Sequence, residues 1–194
     1  MASIVLSGDT SGTVTLSAPA VAGSTTQTLV NVTGTLAPIV SATAQTAPFA
    51  VTTYADFTGI PSWAERITVM FDGVSTSGTS LVQIQIGAGS VTTSGYTSAA
   101  AVISSGTAQT SATTGFLVTG AGAAADVITG TVVFTNITGN TWIESGTVGY
   151  ARTAGAMAIS AGKLALGGAL DRGRITTVNG TDTFDAGSIN ILYE

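Results

Sequence analysis

Apolar residues along this chain alternate with Ser, Thr, Asn and Gln at a period of two, and clusters of Gly, Ser and Asn interrupt the alternation at short intervals. That is the pattern of many short antiparallel strands. In Arg66-Ile67-Thr68-Val69-Met70-Phe71, the residues Ile67, Val69 and Phe71 fall on one side and Arg66 and Thr68 on the other. Leu81 to Ile86 repeats this with Val82, Ile84 and Ile86 inward, and the alternation returns in Thr131 to Phe134, Met157 to Ile159 and Lys163 to Leu166. Several half-buried strands require two sheets that face each other across one core. Arg174 to Val178 runs into Asn179-Gly180, a pair that tolerates positive φ at both positions, and the strand that resumes after it predicts a hairpin. Ser188 to Glu194 alternates to its last residue, which predicts a paired final strand. Pro61 to Glu65 carries Ser62 and Glu65 at capping-box spacing but has room for only one turn before the next strand. Ala99 to Ala101 and Ala123 to Ala125 lack a helical period and sit among Gly and Ser, so they read as loop or strand edge.

The chain has 194 residues, enough for one core and a modest extension. Its first fifty residues differ from the rest. Asp9 is their only charge, no aromatic residue precedes Phe49, and short alternating pieces such as Thr13 to Leu16 and Val30 to Val32 stand between Ala, Pro, Gly and Ser breaks. Such a segment has too little apolar bulk for a core of its own and is expected to order by packing on identical segments or on another surface. The expected division is therefore an extended β arm over 1–50 and a β-sandwich head over 51–194. Ile4, Leu6, Val14, Leu16, Leu29 and Val32 are the arm residues expected to dock or to oligomerise.

Only 8% of residues are charged, and ten acidic against five basic residues give a net charge of -5. No basic field is available for phosphate backbones or anionic lipid, which argues against nucleic acid as a partner. There is no cysteine and no histidine, so the usual ligands of zinc, copper and haem and the commonest general base are missing. The expectation is a non-enzymatic protein without metal or cofactor. No apolar run approaches the roughly 18 residues of a membrane span, and the amino terminus lacks a basic region followed by a long apolar stretch, so the chain is expected to fold in the cytosol where it is made.

Asp171, Asp182 and Asp185 form the densest acidic group, but Asp after an Asn-Gly turn is common for turn geometry alone, and a glycosidase pair or a calcium site with Asn179 is disfavoured. Asp171, Arg172 and Arg174 place three of fifteen charges within four positions, which predicts an ion pair across a subunit or strand boundary, with a solvated hairpin edge as the other reading. Trp63 leads into an apolar strand and Trp142 adjoins Ile143, so both read as core or interface residues before sugar platforms.

Ser11-Gly12-Thr13-Val14-Thr15-Leu16-Ser17-Ala18-Pro19-Ala20-Val21-Ala22-Gly23-Ser24, with Thr28-Leu29 and Thr33-Gly34-Thr35-Leu36 after it, resembles a segment of tail-fibre and virion-surface proteins of tailed bacteriophages that stands ahead of a terminal β-domain. The stretches Phe57 to Phe71, Leu170-Asp171-Arg172 and Arg174 to Ile191 resemble that terminal domain, so the likeness spans most of the chain. It implies a jelly-roll-like head, commonly trimeric, on a β stem. It also implies a place on the virion surface and, as partners, other copies of the chain and virion proteins such as the major capsid or tail proteins. Met1 stands only about ten residues before the stem-like segment, which favours a capsid decoration, cement or short head-fibre protein. The alternative is a fibre tip that binds a host glycan or protein through Gly- and Ser-rich loops such as Ser75 to Gly78 and Ser104 to Gly106.

Overall fold

The structure, a computed structural model, describes residues 3–7, 13–17, 38–104, 106–151 and 155–194. Two compact units divide the chain, Met1–Leu36 and Ala37–Glu194. In the first, β1 (Ser3–Ser7) and β2 (Thr13–Ser17) form an antiparallel pair in which Ile4 stands opposite Leu16 and Leu6 opposite Val14. Leu29 and Val32 lie outside the described residues.

The second unit is an antiparallel β-sandwich, and among the described residues there is no helix. Its strands are β3 (Val40–Ser41), β4 (Gln45–Thr46), β5 (Tyr54–Thr58), β6 (Arg66–Thr76), β7 (Val82–Ala88), β8 (Ser90–Val91) and β9 (Thr97–Ile103). They continue with β10 (Thr107–Ala112), β11 (Phe116–Leu117), β12 (Val127–Thr138), β13 (Thr141–Ala151), β14 (Ala156–Ala165), β15 (Arg172–Thr177) and β16 (Phe184–Tyr193). A nine-stranded sheet runs β10-β9-β14-β13-β12-β6-β16-β3, with β4 also on β16, and a five-stranded sheet runs β11-β7-β15-β5, with β8 on β7.

The alternation in the sequence decides which side chains meet. Ile67, Val69 and Phe71 of β6, Phe134 of β12 and Ile191 of β16 are buried against Phe57, Ile84, Ile86 and Ile175 of the smaller sheet. Further along, Phe116 is fully buried, with its ring 4.8 Å from Tyr96 and 5.2 Å from Phe134, both edge-on. The final strand is paired to its end: Glu194 N–H donates to Arg66 C=O, and Arg66 N–H donates to Glu194 C=O.

Three central strands of the large sheet bend together. Gly73 in β6, Gly130 in β12 and Gly187 in β16 all have positive φ where the pairing register shifts. A Cβ on Gly187 would collide with the carbonyl group of Gly73, so the neighbouring strands approach too closely there for any side chain.

Three sequence expectations change. Asn179-Gly180 does make a turn, with Gly180 N–H bonded to Thr177 C=O, but β15 and β16 on either side belong to different sheets and do not pair. The Asn179 side chain explains the redirection, because its Oδ1 accepts from Thr181 N–H, Asp182 N–H and the Thr177 hydroxyl and so carries the chain across the sandwich. A tight hairpin does form at Gly139-Asn140, where Thr138 pairs with Thr141. Ala99 to Ala101 is the middle of β9 rather than a loop or edge, paired on both sides with β10 and β14. Residues 38–50 contribute β3, β4 and the buried Phe49 to the sandwich, so the sandwich unit starts at Ala37 and not at residue 51.

Candidate functional site

The period of two sends Ala55, Phe57 and Ile175 into the core and therefore turns Tyr54, Asp56, Arg172 and Arg174 to the outer face of the five-stranded sheet. Asp56 and Arg174 are directly opposite each other in the β5–β15 register. Arg174 Nε and Nη2 donate to the two Asp56 carboxylate oxygens, each at 2.7 Å, and its guanidinium carbon lies 3.8 Å above the Tyr54 ring. Arg172 makes the same fork onto its neighbour Asp171, Nε at 2.7 Å and Nη2 at 3.1 Å, and Asp171 also accepts from Gly89 N–H. The Arg172 hydrogen bond holds the Asp171 carboxyl below the usual carboxylate range, and the carboxylates raise both guanidinium groups further. An open hollow of about 360 Å³ beside these pairs is lined by Asp56, Ser90, Thr93, Arg172 and Arg174. It offers guanidinium and hydroxyl donors.

The other singled-out residues make contacts within the fold. Asp182 accepts from Ser80 N–H and from Asn179 Nδ2 and so ties two loops together, Asp185 of β16 accepts from the Ser75 hydroxyl of the neighbouring β6, and Asp171 is held on a different element. Among the described residues no group of three His, Cys, Asp or Glu side chains could hold a metal ion. Trp63 is 42% exposed at the corner before β6 and packs against Tyr193, whereas Trp142 is buried in β13. Arg66 adds an exposed ion pair with Glu194 at 3.3 Å.

Among the buried titratable groups that the sequence analysis did not single out are Tyr96 and Glu144. Tyr96 donates its hydroxyl to Thr92 C=O and accepts from Ile86 N–H, which clasps β7 to the segment after β8, and burial pushes its phenol up. Glu144 shares the inward face of β13 with Trp142 and Val148. Its Oε1 accepts from the Ser160 hydroxyl at 2.6 Å, while Oε2 and the Trp142 indole N–H are buried without a partner. Burial pushes the Glu144 carboxyl up to about 7, against a partial lowering by Ser160. The sequence did carry the signal, since Glu144 has the same parity as Trp142 in an alternating strand.

The outer face of the nine-stranded sheet has the opposite character. Ala158 and Leu164 of β14 point inward, so Met157, Ile159, Ala161 and Lys163 point out. Ile103 pairs with Met157, Ala101 with Ile159 and Ala99 with Ala161 across β9 and β14. Met157, Ile103 and Ile159 are 53%, 50% and 45% exposed, large values for apolar side chains set side by side. Next to Ile159 lies a shallow depression of about 200 Å³ floored by Ala99, Ala101 and Ala161 and edged by Gln109. Lys163 is the one charged side chain that β9, β10, β13 and β14 turn outward among the described residues.

Comparison with known proteins gives no match to a family model, to a curated protein or to a solved structure.

Proposed function

We propose that this chain is a non-enzymatic structural protein of the surface of a tailed-phage virion, a capsid decoration, cement or short head-fibre protein. The head is a jelly-roll-like member of the β-sandwich class and works as a homotrimer. The observation that carries this reading is the division of the chain into a small amino-terminal unit with a β1–β2 pair and a charge-poor sandwich with an apolar strip on the outer face of its larger sheet. The small unit is the docking arm and Ile4, Leu6, Val14 and Leu16 supply its apolar positions, with Leu29 and Val32 further along. Burying such an arm on a particle stabilises the assembly by mass action, since the arm binds only the assembled partner. Deleting residues 1–36 leaves a folded sandwich by circular dichroism that no longer co-sediments with particles; binding at full occupancy without these residues contradicts the reading.

The hollow beside Arg172, Arg174 and Asp56 favours a second reading, a fibre tip whose guanidinium and hydroxyl groups meet a host glycan. Under that reading the purified protein adsorbs to host cells and competes with infection, and Arg174→Ala reduces both.

A further inference from the structure

Ile103 and Met157 stand side by side at one end of an outward apolar strip, and the Ala99–Ala161 row lies four residues away along β14 at the other end, where the sheet surface is hollow. We propose that this face, the outer side of β9 and β14 with β10 and β13 beside them, packs on the same face of a second copy of the chain. The proposal rests on the reading of the protein as a self-associating surface module and adds to the three-fold contact of the trimer a separate two-fold contact that links a copy to one in a neighbouring trimer.

The face is complementary to itself. A two-fold axis lying between the two sheets, at the level of the Ala101–Ile159 row, sets Ile103 and Met157 of one copy over Ala99 and Ala161 of the other, and the reverse. Ile159 then faces its own equivalent. Protruding side chains enter hollows on both halves, which is how a closed isologous contact uses one patch twice. The electrostatics agree. The chain carries -5 overall, yet Lys163 is the only charge these four strands turn outward among the described residues, so two copies can meet here without opposing carboxylates. The extent agrees as well. Four strands from β10 to β13 at about 4.8 Å spacing and about 25 Å of length give about 480 Å² in projection, more than half of the roughly 800 Å² per partner of a standard interface. An isolated Ile or Met on a surface requires no explanation, but three of them contiguous with an alanine hollow exceed ordinary scatter.

The 194-residue chain has no cysteine, so single cysteines report contacts between copies without background. Ile159→Cys treated with a short bismaleimide is expected to run mostly as covalent pairs on a denaturing gel, whereas Thr58→Cys, on the other sheet, stays single. Met157→Cys and Ala161→Cys each link poorly alone and link well when the two proteins are mixed, because the axis brings position 157 of one copy to position 161 of the other. Ile159→Glu places two carboxylates face to face and raises the dissociation constant of the pair about a hundredfold by sedimentation. If the wild-type chain self-associates but Ile159→Cys reacts only as single chains, the face is wrong and the self-associating reading stands. If the wild-type chain stays monomeric at high concentration, both fail. A monomer in which the thiol introduced by Ile159→Cys is shielded from a monofunctional maleimide identifies the chain's own amino-terminal segment as the occupant and overturns the proposal.

Discussion

Replacing Glu144 by Gln tests whether the sandwich interior holds an unpaired carboxyl. Glu144 is 3% exposed, has one hydrogen bond from Ser160 and no charged partner, and its carboxyl is raised from 4.5 to about 7 by burial. Below the unfolded value both states are protonated and the residue carries no ionisation cost. As pH rises from 4.5 the unfolded chain ionises first, so stability falls progressively, and above about 7 the full penalty is present. At about 1.4 kcal/mol per pKa unit the gap corresponds to about 3 kcal/mol. Glutamine matches the protonated acid in shape and keeps an oxygen for Ser160, so any fixed cost of the amide cancels when the two proteins are compared at two pH values. Urea unfolding of wild type and Glu144→Gln at pH 4 and pH 8 should show the variant gaining about 3 kcal/mol relative to wild type between those conditions. All other titrating groups are common to both proteins and drop out of the difference. A variant offset that is the same at both pH values refutes the reasoning, because a carboxyl that ionises normally is not desolvated.

Phe116→Ala removes a fully buried ring between Tyr96 and Phe134 and is expected to cost about 3–5 kcal/mol in urea unfolding. Gly187→Ala combines a positive φ with a Cβ placed against the Gly73 carbonyl and should destabilise by about 2 kcal/mol or more, seen as a lower melting temperature. Arg174→Ala and Asp56→Asn in a double-mutant cycle should give a coupling of about 1 kcal/mol or less, since both side chains are about a third exposed and the bidentate geometry is partly offset by solvent screening.

The sandwich was legible wherever strands alternate with large residues on one side only. Ile67, Val69 and Phe71, Val82, Ile84 and Ile86, and Ile189 and Ile191 all occupy the core face that their parity indicates. Legibility failed where both faces carry similar side chains. In β9 Ala99, Ala100 and Ala101 give no contrast between inside and outside, and their strand is set by pairing with β10 and β14 rather than by a local pattern. In β14 the larger residues Met157 and Ile159 point outward while Ala158 is buried, so size and burial are inverted, and that inversion exposes the apolar face. The Asn179-Gly180 turn was visible, but sheet membership depends on long-range pairing that two residues cannot encode. The Asp171, Arg172 and Arg174 cluster pointed to an ion pair, whereas the Asp56 partner stands 118 positions away in sequence and meets Arg174 only through the β5–β15 register.

The proposed role places the chain on a particle surface as a built-in component. Immunogold labelling of particles released from cells that express the chain from its native genome, with antibody raised against residues 37–194, tests this most directly. Label arrayed over the capsid or along a short head fibre is the predicted result, and particles that carry no label while the chain remains in the cell lysate would contradict it.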